Sequence, residues 1–600
     1  MVTVEVSLDH GAIGNGRLIA LVAPTSAIEW LCLPRFDSPS VFAALLDQKH
    51  GGRFQFLGHG ESIRGHAAYL PNTNVLRTEF AAGDARWEVI DFAPRILQGG
   101  GRFETPLEVV RVVRPLAGTP RVTVDFSPRP NYGRERGRLL ATHHGVEVLD
   151  ADAPMHLYSN VPGDHICGRH EIAVRHPLYF LLTYGHRPHP PTEADIRHLL
   201  DETVRGWRLW SKTCALPSFA ADHVLRSALC LKLHAYVDTG AIIAAATTSI
   251  PEAIGTPRTW DYRYCWLRDA AFVVEALRRL SHLNEGEQFI SFLRDIAEAG
   301  PLQPLYGIGG ERDLPEHVLE HLSGFANTGP VRVGNAAAEQ QQNDLNGELI
   351  LCLQTVLADP RLVLDQPQTF FPLVQRLVEQ AIALAPLADT GIWEFRTLPR
   401  HYTFSRAMCW AAIDRGALIA ARFGKPELAA RWSAVAVEER GIVLDRGFNP
   451  HVRCFTQSLD GEHGDAANLL FPSIGLIDAR DPRFLATLDH YGRHMTRRNL
   501  MQRYTNLDDF GTTTSAFTIC SFWWAEALAL AGRLEEAVAV FHRIVEHANP
   551  LGLFSEDIEP ETGQLLGNFP QAYTHVGLIH AAMTIGTLLD VRDGRVRAWS

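Results

Sequence analysis

Residues 514–563 read TSAFTICSFWWAEALALAGRLEEAVAVFHRIVEHANPLGLFSEDIEPETG. Apolar residues recur at three- and four-residue spacing over 514–531 and again over 533–547, which predicts two helices with the single turn residue Gly532 between them. From 551 to 563 the period is lost, and Gly552, Ser555, Pro560 and Gly563 mark a long polar loop that carries four acidic residues. A short turn at one end of a helix pair and a long, chemically rich loop at the other is the unit of a helical-hairpin barrel.

The unit repeats through the second part of the chain. Helical periodicity predicts twelve segments: 218–237, 266–281, 284–299, 337–358, 369–385, 402–422, 425–443, 465–476, 481–496, 514–531, 533–547 and 569–588. Twelve is the number an (α/α)6 barrel needs, six inner helices wrapped by six outer ones. Connections after even-numbered segments are mostly short, as at Gly424 and Gly532, and those after odd-numbered segments are mostly long. All long loops then emerge at one end of the barrel, the usual place for binding and catalysis on a rigid scaffold.

Before residue 190 the pattern differs. Short, β-branched runs such as 18–23, 87–92, 107–113, 121–126, 145–149 and 179–184 are separated by turn signals, among them Gly99-Gly100-Gly101 and Val161-Pro162-Gly163-Asp164. This spacing predicts an antiparallel β-sandwich. A polar helix over Thr192–Lys212 leads out of it. The expected organisation is a sandwich over 1–195, a helical linker over 196–215 and the barrel over 216–600.

Composition narrows the function. The chain has 600 residues, more than one core organises, and a net charge of -12. That charge argues against a nucleic-acid partner. Lysine occurs only at 49, 212, 232 and 425, none in a Gly-rich phosphate loop. No stretch approaches the roughly 20 apolar residues of a membrane span, and Met1–His10 lacks the basic and apolar segments of a secretion signal. Nine scattered cysteines without a CxxC pair read as reduced thiols. A cytoplasmic protein is expected, with no membrane partner. His143-His144, His186 and His189 lie in polar loops and read as solvated residues rather than metal ligands, so neither metal nor cofactor is expected.

Four long loops carry chemistry. The first, Thr259-Trp260-Asp261-Tyr262-Arg263-Tyr264-Cys265-Trp266-Leu267-Arg268-Asp269, offers aromatic faces for a sugar ring and Arg and Asp for charge-assisted bonds to hydroxyls; it reads equally as a helix start with core aromatics. The second holds Trp393-Glu394-Phe395-Arg396, where Glu394 is either an acid whose pKa a neighbouring Trp raises or a loop charge paired with Arg396. The third holds Arg503-Tyr504 before Asp508-Asp509, with Arg503 placed to grip a hydroxyl or to pair with those acids. In the fourth, Glu556 follows an apolar run, whereas Glu559 and Glu561 read as surface charges. Glu394 and Glu556 sit on the third and sixth of six hairpins and can face each other across one barrel mouth, and two carboxyls flanking a sugar are the minimum for most glycoside hydrolysis.

With these motifs in this order, the chain resembles glycoside hydrolase family 15, which contains glucoamylases and bacterial and archaeal trehalases. The resemblance rests on Ile13–Arg17, Ile28–Cys32 and Arg35–Ser40 in the amino-terminal part, and on Trp266–Asp269, Trp393-Glu394, Arg503-Tyr504, Ser555-Glu556 and Asn568–His575 in the catalytic part. It implies that Arg268, Asp269 and Arg503 hold the non-reducing glucose, that Glu394 protonates the leaving oxygen, that Glu556 activates water, and that Tyr262 lies near the catalytic centre. Trp266, Trp393 and Tyr504 complete the expected substrate site.

Fungal glucoamylases of that family have a second Glu, a Gln and a Trp where this chain has Phe395, Asp557 and the Phe569-Pro570-Gln571 segment. The differences favour a small disaccharide such as trehalose over starch. The expectation is an inverting, exo-acting α-glucosidase of trehalase type, with action on maltooligosaccharides as the alternative and a disaccharide phosphorylase as a further one. A phosphorylase needs one carboxylic acid only, so Glu556 favours hydrolysis. Inversion requires carboxyls roughly 6.5–9.5 Å apart, with room for a water.

Overall fold

The computed structural model describes residues 7–99, 102–361 and 367–595. Residues 1–6 of the segment read for a secretion signal, Gly100 and Gly101 of the glycine turn, and 362–366 and 596–600 of the expected barrel lie outside the described residues.

The amino-terminal part is a sandwich of two antiparallel sheets. One joins the strands Gly11–Gly14, Ile19–Val22, Ile28–Cys32, Arg53–Gly58, Arg121–Ser127 and Glu171–Ala173 in that order, with Ser40–Phe42 on the third. The other runs Leu139–Thr142, Gly145–Val148, Met155–Ser159, Leu178–Tyr184, Glu108–Ala117, Ala85–Phe92, Leu76–Ala82 and His66–Tyr69. Alternating side chains from both inner faces, among them Phe54, Phe56, Val124, Val89, Val113 and Phe180, fill one core. Arg111 is buried at its centre and ties the sheets together, donating to Asp91 Oδ1 at 2.7 Å on its own sheet and to the carbonyl of Phe54 at 2.5 Å on the other. Helix α1 (Gly163–Cys167) is a single turn in this part. Helix α2 (Glu193–Lys212) leads out of it, and Thr192 and Asp195 close a capping box at its start.

Among the described residues eleven helices follow: α3 (Ala221–His234), α4 (Leu267–Arg279), α5 (Asn284–Ala299), α6 (Leu345–Ala358), α7 (Phe371–Leu384), α8 (Thr403–Arg422), α9 (Pro426–Arg446), α10 (Pro482–His494), α11 (Thr518–Leu530), α12 (Leu534–Val545) and α13 (Ala572–Arg592). The inner ring closes through α4, α6, α8, a 3-10 turn at Ala466–Leu470, α11 and α13, each packed on the next and α13 back on α4. The other six helices back it from outside.

Two segments depart most from the sequence reading. The expected helix 465–476 is only the 3-10 turn 466–470, capped by Asp465 on the N–H of Ala467. Pro472 and Gly475, at φ 78°, stop it from continuing. The expected helix 337–358 begins only at Leu345; before it a 3-10 turn, Ala336–Glu339, hands over to extended residues that turn Gln340 and Gln342 toward the barrel mouth.

Sandwich and barrel share a continuous core, in which Leu21, Trp30, Ile90 and Val112 pack with Leu229, Leu231 and Val274. The indole of Trp30 donates to the carbonyl of Ala246 at 2.7 Å, and Asn549 donates to the carbonyls of Leu8 and His10.

Candidate active site

The long loops of the barrel enclose two adjoining chambers. The inner one, of about 460 Å³, is bordered by Tyr262, Trp266, Arg268, Asp269, Trp393, Glu394, Arg503 and Glu556. The outer one, of about 530 Å³, is bordered by Trp260, Tyr262, Trp393, Glu394, Arg503 and Tyr504 among others. Tyr262, Trp393, Glu394 and Arg503 form the wall between them, and Glu556 borders the inner chamber alone. All nine residues singled out from the sequence border one chamber or both.

Glu394 sits in the α7–α8 connection with a positive φ of 61°, in a turn closed by its own N–H on the carbonyl of Gly391 at 3.1 Å. A non-glycine residue in that conformation costs on the order of 1–3 kcal/mol, and the turn directs the carboxyl into the wall. Its Oε1 accepts from Trp266 Nε1 at 2.7 Å, Gln342 Nε2 at 3.1 Å and Arg268 Nη2 at 3.4 Å. Arg396, the partner suggested by proximity in sequence, pairs with Glu316 instead. The adjacent Trp393 turns its indole N–H to Asp465 at 2.9 Å and packs on Phe517, Trp523 and Tyr504. The indole that meets Glu394 is therefore that of Trp266.

Glu556 lies in the α12–α13 connection at 1% exposure, against 20% for the side chain of Glu394. Its Oε1 accepts from Tyr262 Oη at 2.8 Å, and its Oε2 takes the N–H of Asn568 at 3.4 Å. Behind it, His575 accepts from the N–H of Phe554, and Thr574 donates to the carbonyl of Ser555, so the 568–575 motif supports the loop that carries Glu556. Burial pushes Glu556 well above the usual carboxylate range; the nearby charges of Glu252 and Asp557 add to this, while Arg503 and the Tyr262 hydroxyl oppose it.

The 259–269 segment divides between two sides. Tyr262, Trp266, Arg268 and Asp269 face the chambers, whereas Asp261 and Arg263 form a fully buried ion pair at 2.6 Å turned toward the sandwich. There Arg263 donates to the carbonyl of Ser38 at 2.8 Å and to Tyr132 Oη at 2.9 Å. At the inner end Arg268 lies 3.5 Å from Asp344 and 3.6 Å from Asp269. Asp269 is pushed up to about 6, by burial first, with Arg268 opposing and Glu394 adding. Asp269 Oδ2, Asp344 Oδ1, Glu348 Oε1 and Tyr573 Oη are buried with no hydrogen-bond partner among the described residues. Of these, Asp269 and Tyr573 border the inner chamber, where they are placed to bond with ligand hydroxyls or water.

Glu252 escaped the sequence reading. Its Oε2 accepts from Arg503, its Oε1 takes Trp260 Nε1 at 2.8 Å, and it borders the outer chamber. Arg503 thus pairs with an acid 251 positions away, while Asp508, the neighbour expected to serve it, takes both Arg258 amines at 2.8 and 2.6 Å and Tyr504 Oη at 2.7 Å. The only sequence signal for Glu252 is an acid set between Pro251 and the Gly255–Pro257 turn, immediately before the aromatic loop. Gln342 was hidden inside an expected helix.

Comparison with known proteins agrees with this architecture. The family model described as "Glycosyl hydrolases family 15" matches residues 218–583, and "Trehalase-like, N-terminal" matches 6–167. A trehalase of Thermoplasma volcanium is 33% identical over 98% of this chain and 95% of its own, and a trehalase of Mycolicibacterium smegmatis is 34% identical over 96% and 91%. The crystal structure of a bacterial glucoamylase complexed with acarbose superposes with a TM-score of 0.70, covering 99% of this chain and 96% of that one at 14% identity, a likeness of fold.

Proposed function

Because this chain belongs to glycoside hydrolase family 15, we propose that it takes one α-linked glucose into the inner chamber and releases it by hydrolysis with inversion, and that trehalose is its substrate. The observation that carries the reading is the shared wall: Glu394 borders both chambers and Glu556 only the inner one. A disaccharide with a ring in each chamber sets its glycosidic oxygen beside Glu394 and its inner anomeric carbon within reach of a water held by Glu556. The trehalose assignment is supported by relatives named trehalase that align over nearly the whole chain.

In this mechanism Glu394 is the general acid. Its Oε1 is engaged by three donors, so Oε2 carries the proton to the leaving oxygen. Glu556 is the general base, oriented by Tyr262, and accepts a proton from the attacking water. Arg268, Asp269 and Arg503 hold the inner glucose. Trp266 and Trp393 wall it, and Tyr504 lines the space for the departing sugar. Positive charge on the oxocarbenium-like ring is countered by the surrounding carboxylates.

Proton NMR of the first turnovers tests the reading. Inversion yields equal β-glucose from the inner ring and α-glucose from the departing ring, whereas retention yields α-glucose alone. Glu394→Gln and Glu556→Gln each lower turnover by about 10²–10⁴-fold. α-Glucosyl fluoride, which needs little protonation, rescues only the former. Turnover of maltose but not trehalose would move the substrate to the maltooligosaccharide class. We also assign the enzyme to the cytoplasm, on the strength of nine free cysteines, seven of them buried; recovery in a secreted fraction of its native cells would refute this. Among the described residues no helix is long and apolar enough to cross a membrane.

A further inference from the structure

The far side of the outer chamber is bordered by loops clasped to one another. In the α10–α11 connection, the carboxylate of Asp509 accepts the N–H of Arg396 at 2.7 Å, the N–H of Thr397 at 3.0 Å and the hydroxyl of Thr397. Those residues belong to the α7–α8 connection, directly after Glu394. Glu316, in the α5–α6 connection, takes Arg396 Nη2 at 2.9 Å and Arg332 Nη1 at 2.6 Å. The Arg396 and Arg332 guanidiniums lie 4.6 and 5.2 Å from the ring centre of Trp260, and Phe510 meets that ring edge-on at 5.4 Å. Trp260, Arg396, Asp509 and Phe510 border the chamber, and Glu316 steadies Arg396 from behind.

Four loops therefore converge on one rim through charge-assisted bonds, which are shorter and about twice as strong as neutral ones. The turn at 508–510 is itself anchored, since Asp508 takes Arg258 through both oxygens and the N–H of Phe510 at 2.8 Å. Trp260, Arg396, Asp509 and Phe510 border the outer chamber and not the inner one, so the clasp lies on the leaving side of the wall.

We propose that the Asp509–Arg396–Glu316 clasp is a chain-length gate: by fixing the 394–397 turn against the 508–510 turn it confines the leaving side to one hexose and turns away substrates with a further sugar there. The inference rests on the disaccharide hydrolysis proposed above and names its selectivity device.

The test compares trehalose with the trisaccharide bearing one additional α-1,4-linked glucose on one ring, reading maltose as the product of cleavage at the trehalose bond. The wild type is expected to form maltose with kcat/KM at least about tenfold below that for trehalose. Asp509→Ala and Glu316→Ala should each raise the ratio of the two kcat/KM values at least about tenfold, mainly through KM for the trisaccharide. Thermal melts identify folded variants; should the alanine variants not fold, Asp509→Asn and Glu316→Gln take their place with the same expected direction. A wild type equally active on both sugars, or folded variants with the wild-type ratio, overturns the gate. A wild type inactive on trehalose refutes the substrate reading alone, and the gate is then read from maltose against maltotriose with the same outcomes.

Discussion

At the residue scale the two central carboxyls live in different surroundings. Glu394 is reached by three donors and keeps part of its side chain open, while Glu556 is sealed among Glu252, Asp557, Arg503 and Tyr262. A general base works only when ionised. Because burial and its acidic neighbours raise Glu556, activity is present above that raised value and is lost as pH falls through it. The acid limb of kcat/KM, which reports free-enzyme groups, should therefore lie above the ordinary glutamate value of about 4.3. Glu252→Gln deletes a negative charge near Glu556 and removes the carboxylate hydrogen-bonded to Arg503. Both changes favour ionised Glu556, so the limb should move to lower pH in this variant. The pH profiles of the two proteins decide it, and an acid limb that stays in place or moves upward counts against the assignment of Glu556 as base.

At the scale of elements, short antiparallel pairings hold the catalytic loops more tightly than their length suggests. Asp557–Ile558 pairs with Ala516–Phe517 on one side and Leu565–Leu566 on the other, so the residue after Glu556 is locked into a small sheet. Gly567 ends that sheet at φ 71°, and a Cβ there would stand 2.6 Å from Glu556 Cβ and 2.7 Å from its Oε2. Glycine is required twice over, by conformation and by space. Gly567→Ala should lower stability by about 1–3 kcal/mol and, by displacing Glu556, reduce kcat at least about tenfold. Urea midpoints and turnover measure the two effects; a variant with wild-type values in both would show that the loop yields without consequence.

At the scale of the whole molecule, sandwich and barrel are joined by a common core and by Arg263. That residue leaves a barrel loop, pairs with Asp261 and reaches Ser38 and Tyr132 with no exposed side-chain surface. Removing one partner of such a pair strands a buried charge, at a cost of about 3–5 kcal/mol. Arg263→Met should therefore lower the stability of both parts together. Far-UV circular dichroism and tryptophan fluorescence should report one coincident unfolding transition at lower denaturant. Two separated transitions, with the barrel unchanged, would mean that the parts fold independently.

What the sequence determined by itself was whatever depends on neighbours along the chain. Periods of 3.6 and 2 set helices and strands, because each element buries one face and the face follows from spacing. Tyr262, Trp266, Arg268, Trp393, Glu394, Arg503 and Glu556 were legible as candidates because aromatic, basic and acidic residues crowd into long loops between strongly periodic helices, while their roles came only from the family resemblance. The tertiary structure alone decided who partners whom. Arg503 takes Glu252, Glu394 takes Trp266, Gln342 and Arg268, and Arg396 takes Glu316, all across large sequence separations. It alone divided the 259–269 loop between chamber and domain interface. It also shortened 465–476 to one 3-10 turn and opened the start of 337–358. The physical reason is that a buried charge needs a counter-charge within a few ångströms, and which groups come that close is set by the ring of helices closing on itself, not by the order of residues in any one loop.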